Sequence, residues 1–158
     1  MSDVKFEDYR VKVKEAMNDA AIAFLHEASG ELVSQTVRNT AVGQGQLKGS
    51  WDYRVDEGNL ESKIGSPLEN AIWEEFGTGE YALERNGRKT PWYVPVKGYM
   101  GKKKPTYNGK VVIVYGKDGT AFYKTNGKKP KRMLFNAFET QKKNIEKMAE
   151  EQLKNNLK

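Results

Sequence analysis

Glu74 and Glu75 stand next to each other in the stretch NAIWEEFGTGEYAL, Asn70 to Leu83, just before Gly77-Thr78-Gly79. Paired carboxylates could serve a hydrolase as acid and base, and a glycine pair could cradle a phosphate. Spacing argues against the first. Adjacent helical residues diverge by about 100°, so the two carboxylates cannot address one reacting centre. One is expected to face solvent and the other to face whatever Trp73 and Phe76 pack on. A carboxylate held against the lysine or arginine of a neighbouring subunit fits this better than a catalytic pair.

The other chemistries fare no better. His26 is the sole histidine and lies well inside a helical pattern, so any Ser-His-Asp arrangement would have to pass through it. It reads as a surface or partly packed residue. With no cysteine and one histidine, a zinc site would need three carboxylates. The run GQGQLKGS, Gly43 to Ser50, has its lysine before the last glycine. It also follows a helix and leads into a strand, the reverse of a phosphate loop. No catalytic, cofactor or metal residue is assigned, and no cofactor is expected.

Charge is distributed unevenly. The chain of 158 residues carries a net +6, yet Leu83 to Arg132 alone holds 14 Lys/Arg against 2 acids. A basic middle between more acidic ends favours an anionic partner, nucleic acid or an acidic protein surface. Within it, RNGRKTPWYVPVKGYMGKKK, Arg85 to Lys104, interleaves cations with aromatic residues. Its lysines and arginines could neutralise phosphates while Trp92, Tyr93 and Tyr99 stack on bases. The favoured alternative is that the aromatics form a small core beneath solvated cations, since no reader motif accompanies them. Lys102, Lys103 and Lys104 are the candidate DNA-facing residues.

These residues need a scaffold, and periodicity supplies one. Tyr9, Val13, Met17, Ala20, Phe24, Ala28 and Leu32 recur at steps of three or four, predicting one helix from about Val4 to Val37. Asp3 is the expected cap, Asn39 to Gly45 ends the helix, and Gly30 is a place for a bend. Trp51, Tyr53 and Val55 alternate with polar residues, and Leu60 to Ile64 returns as a hairpin partner across Asp56 to Asn59. Pro67 suits the first turn of a short helix to Phe76, stopped by Gly77 or Gly79. Residues 80–110 read as a long loop with one short strand at Trp92 to Val96. Lys110 to Tyr115 and Thr120 to Thr125 form a second hairpin. Pro130 opens a terminal helix whose stripe is Leu134, Phe138 (with Ala137), Gln141, Ile145 and Met148.

The expected fold is therefore α+β in a single domain, 1–158. An antiparallel sheet of about four to five strands packs with long N-terminal and C-terminal helices and a short central helix. No apolar run approaches the roughly 18 residues of a membrane span. The acidic, amphipathic N-terminus is unlike a signal peptide. Freedom from cysteine suits a reducing compartment.

Three separated segments carry a resemblance. GQLKGSW at Gly45 to Trp51, IWEEFGTGEYA at Ile72 to Ala82 and NGKKPKRMLFNAFE at Asn126 to Glu139 occur in the order of the phage tail-completion or neck protein family. Gly45, Leu47 and Ser50 match its first pattern, with Gln44 in place of threonine. Glu75-Phe76-Gly77-Thr78-Gly79 matches the second closely, though Asn70-Ala71-Ile72 stands where Tyr-Ala is usual. Lys129-Pro130, Met133-Leu134 and Ala137 match the third, with Met133 in place of phenylalanine. The resemblance implies a non-enzymatic structural protein of a virion or phage-tail-like particle, assembled in the bacterial host cytoplasm. It implies a homo-oligomeric ring, taken as a hexamer, at the head-proximal end of the tail. Its expected partners are the tail tube, tail terminator, sheath or neck proteins, with non-specific DNA contact in the lumen and no membrane. A tail terminator or head-side stopper ring is the alternative, as is a small nucleic-acid-binding module. The expected interface residues are Trp73, Glu75, Phe76, Thr78, Arg85, Arg88, Lys89, Trp92 and Tyr93.

Overall fold

A computed structural model describes residues 10–41, 45–96 and 112–156. The expected cap Asp3, the first stripe residue Tyr9, and Tyr99 with Lys102 to Lys104 lie outside the described residues. The fold is α+β, and its described chain divides into two compact units.

The first unit takes Met1–Pro67 and Leu134–Lys158. Helix α1, Arg10–Asn39, runs without a break through Gly30. Its stripe is buried only from Ala20 onward, at Ala20, Ala28 and Leu32, whereas Val13 and Met17 are exposed. Thr36 and Thr40 are buried, and each hydroxyl donates to a carbonyl one turn back, at 2.7 and 2.8 Å. A one-turn helix α2, Gly45–Lys48, follows, which the glycine-rich sequence did not suggest. Strands β1, Asp52–Asp56, and β2, Glu61–Gly65, pair as the expected hairpin, Tyr53 opposite Ile64 and Val55 opposite Ser62. Asp56 shapes the turn by accepting from the Asn59 amide and side chain, and these bonds hold its carboxyl below the usual range. Leu60 belongs to the turn, with φ 50, and not to the strand. The hairpin lies on α1, where the Ser29 and Ser62 hydroxyls meet at 2.6 Å.

Helix α4, Met133–Asn156, begins three residues after Pro130, so that proline precedes the helix and does not open it. Gln141 reaches Gln35 at 3.3 Å and Gln152 reaches Glu27 at 2.8 Å, so α4 runs antiparallel to α1. Ala137 is fully buried, while Phe138 is exposed.

The second unit is Leu68–Met133. It holds α3 (Glu69–Phe76), β3 (Thr78–Gly79), β4 (Trp92–Pro95), β5 (Val112–Tyr115), β6 (Ala121–Thr125) and β7 (Gly127–Lys128). Pro67 lies two residues before α3, whose cap position is Leu68. The strands form three small antiparallel sheets, β1-β2, β3-β7 and β4-β6-β5, where one sheet of four to five was expected. The expected second hairpin is present as β5-β6, and the expected short strand is β4 on the other side of β6.

Candidate functional site

Helix α3 has its polarity inverted. Ala71, Glu74 and Glu75 are buried, with Glu74 and Glu75 only 5% and 9% exposed. Ile72, Trp73 and Phe76 are exposed at 60%, 48% and 47%. This corrects the expectation that one carboxylate faces solvent. The two do diverge by about 100°, but a buried helix face spans a similar arc and takes both, on either side of Ala71.

Burial of a carboxylate requires compensation. Lys128 on β7 donates to Glu74 Oε1, and Lys131 Nζ stands 3.0 Å from Oε2. Burial by itself would raise the Glu74 pKa. The hydrogen bonds and charges of the two lysines outweigh it and hold the carboxyl below its ordinary value. The backbone follows the same path, since the Lys131 N–H donates to the Glu74 carbonyl at 2.6 Å.

The glycines complete this clasp. Gly77 ends α3 at φ 75, and its N–H donates to the Trp73 carbonyl at 3.0 Å. Thr78 then pairs with Lys128 and Gly79 with Gly127. Thr78 Oγ1 accepts from the Lys128 N–H at 3.0 Å. A methyl group on Gly79 would fall 2.2 Å from the Asn126 carbonyl oxygen, and one on Gly127 would fall 2.0 Å from that of Thr78. Both also have positive φ, so only glycine fits. Glu80 and Asn126 seal the far end, backbone to backbone and side chain to side chain, each at 2.9 Å. The second and third segments of the family resemblance are thus two halves of one joint.

The remaining predicted residues separate into two groups. Trp92 lies against Gly79 and Thr78 is bonded to β7, so both belong to the body of the unit, whereas Arg88, 5.9 Å above the Trp92 ring, is exposed. Arg85, Lys89 and Tyr93 are exposed, Tyr93 on the sheet face opposite to Trp92. Leu83 escaped the sequence reading. It is exposed beside Phe76, to whose carbonyl its N–H donates at 3.0 Å, and it widens the apolar edge. The first segment of the resemblance lies in the other unit. There Leu47 and Trp51 are buried, Ser50 Oγ meets Ser66 Oγ at 2.7 Å, and Trp51 Nε1 donates to Thr40.

No cluster of three or more metal-capable side chains occurs among the described residues. His26 is half exposed, its ring edge against Tyr53 and its Nε2 3.9 Å from Glu57. No described helix is long and apolar enough to cross a membrane.

Residues 5–77 match the family model described as "Bacteriophage HK97-gp10, putative tail-component". The match covers just under half of the chain and ends at the first glycine of the clasp. It is consistent with a phage tail-completion or neck family, and the family it describes is a tail component and not a known enzyme family. No curated protein and no solved structure matches the chain.

Proposed function

We propose that this protein is a structural subunit of a phage tail or tail-like particle. In this reading it forms a ring at the head-proximal end of the tail, completing the tail and joining it to the neck, collar or tail terminator. The observation that carries the reading is α3, which buries two carboxylates and leaves Ile72, Trp73 and Phe76 in solvent. A helix that spends buried ion pairs on its own joint and keeps its aromatics outside is suited to contact another subunit. Residues on one face of a chain meeting a different surface of the next copy make a heterologous contact, which gives a ring when the rotation between copies closes. The match to a tail-component family supplies the setting.

The test is assembly. Purified protein, alone and mixed with tails that lack it, is examined by sedimentation and electron microscopy. Rings, or decoration of one end of the tail, are expected. A chain that stays monomeric at all concentrations and never joins such tails would overturn the proposal.

A further inference from the structure

The sheet β4-β6-β5 has two outer edges, and they are built differently. In an antiparallel strand, alternate residues turn their N–H and C=O toward the same neighbour. The Val96 N–H donates to Ala121 on β6 at 2.9 Å, so positions 94 and 92 also face β6 while 91, 93 and 95 face outward. Two of those three are Pro91 and Pro95, which have no N–H to offer. Prolines at the outward positions blunt this edge against further pairing.

The opposite edge has no such protection. The Gly116 N–H donates to Thr120 at 2.9 Å, so Val114 and Val112 face β6 and the backbone groups of Ile113 and Tyr115 point away from it. Among the described residues, no strand pairs with that side. The strand Val112-Ile113-Val114-Tyr115 is apolar throughout, with Tyr115 74% exposed. Two donors and two acceptors in an apolar setting form a template for one more strand.

Charge decides which strand. Lys117, just past β5, and Lys124, opposite Val112 on β6, are exposed and make no ion pair among the described residues. The nearest acid, Asp118, is occupied by Thr120 through its hydroxyl and backbone N–H. The unit as a whole carries 14 Lys/Arg and 6 Asp/Glu. A second copy offering the same edge would bring like charge to like charge, so these lysines act against self-pairing. An incoming strand would lie two inter-strand spacings, about 10 Å, from β6, within the combined reach of a lysine and a carboxylate.

We infer that the outer edge of β5 is a docking edge for an extended, acid-bearing segment of a different protein, which adds to the sheet beside Ile113 and Tyr115. Its apolar side chains pack against Val112 to Tyr115, and its carboxylates meet Lys117 and Lys124. This goes beyond ring formation, since it concerns a second partner on a second surface.

The probe is an end-blocked peptide of alternating valine and glutamate, with a valine–lysine peptide and a proline-interrupted glutamate peptide as controls. Amide hydrogen exchange of the full chain is the readout. With the glutamate peptide the Ile113 and Tyr115 amides are expected to slow at least tenfold, while Val112 and Val114, already bonded to β6, change little. The controls should have no effect. Ile113→Pro should abolish the protection, and because that variant could disturb the strand, Lys117→Glu with Lys124→Glu provides a second arm. That double variant should transfer the preference from the glutamate to the lysine peptide. No protection at saturating peptide, or equal response to both charges, would overturn the inference. Protection that rises with protein concentration in the absence of peptide would overturn it too, by assigning the edge to a second copy.

Discussion

Helices α1 and α3 solve opposite problems. From Ala20 onward α1 buries apolar residues, Ala20, Ala28 and Leu32, and the buried Thr36 and Thr40 at its end bond back into the helix. Eight-residue α3 instead buries Glu74 and Glu75 and leaves Ile72, Trp73 and Phe76 outside. A long helix can anchor itself by packing. A short one has too little apolar area to do so while also offering an apolar surface, so α3 is held by charge and backbone bonds to Lys128 and Lys131. The difference separates two kinds of residue in one motif: those that lock the joint and those left in solvent.

Breaking the lock should have the largest effect. Gly127→Ala places a methyl group 2.0 Å from the Thr78 carbonyl oxygen in a backbone conformation that alanine avoids, and Gly79→Ala does the same against Asn126. Each should cost about 3–5 kcal/mol, read as a fall in the urea midpoint. An equivalent substitution at Gly30, where a methyl group meets nothing within 4 Å, should be neutral or mildly stabilising. Equal behaviour of Gly30→Ala and Gly127→Ala would dissolve the contrast between α1 and the clasp.

Removing the buried charge comes next. Glu74→Ala should destabilise by about 2–3 kcal/mol, toward the low end for breaking a buried pair because both lysines remain partly hydrated. Glu74→Gln should cost less and change the pH profile. The folded carboxyl lies below its unfolded value, so its contribution is fully present above the ordinary glutamate pKa of about 4.3 and is lost as pH falls through the lower folded value. Glu74→Gln should therefore flatten the acid limb of a stability–pH curve and leave the neutral region level. An unchanged acid limb would show that Glu74 is not the group that titrates.

Much of the scaffold could be read in advance, for reasons these residues make plain. Helices α1 and α4 and the β1-β2 and β5-β6 hairpins carry enough turns or alternating positions for their period to register. Strands β3 and β7 have two residues each, so they have no period to detect; only the glycines they require hint at them. The inversion of α3 could not be read at all. A sequence gives the faces of a helix but not which face is inward, and the lysines that settle it lie 54 and more residues further along the chain. That the EFGTG and NGKKPK segments recur together in a resemblance was the one available signal that they touch. The strands' division into three sheets was likewise hidden, because pairing across long connections depends on tertiary context.

The smallest effect on stability should come from the outer face of α3, and it sharpens the comparison most. Trp73→Ser with Phe76→Ser removes aromatic rings that are about half exposed, from a helix fixed by its opposite face. Substitutions at such positions usually stay near ±0.5 kcal/mol, though serine's poorer helix propensity adds a few tenths each. Urea midpoints should thus move little, while association with other copies or with tails should fall at least tenfold if these rings form the centre of an interface. The same pair of substitutions also tests the reverse case. Should they unfold the protein as Gly127→Ala does, Trp73 and Phe76 would be part of the internal support of the chain, and α3 would not divide into a locking face and a binding face. Retained stability with lost assembly is the result that divides them.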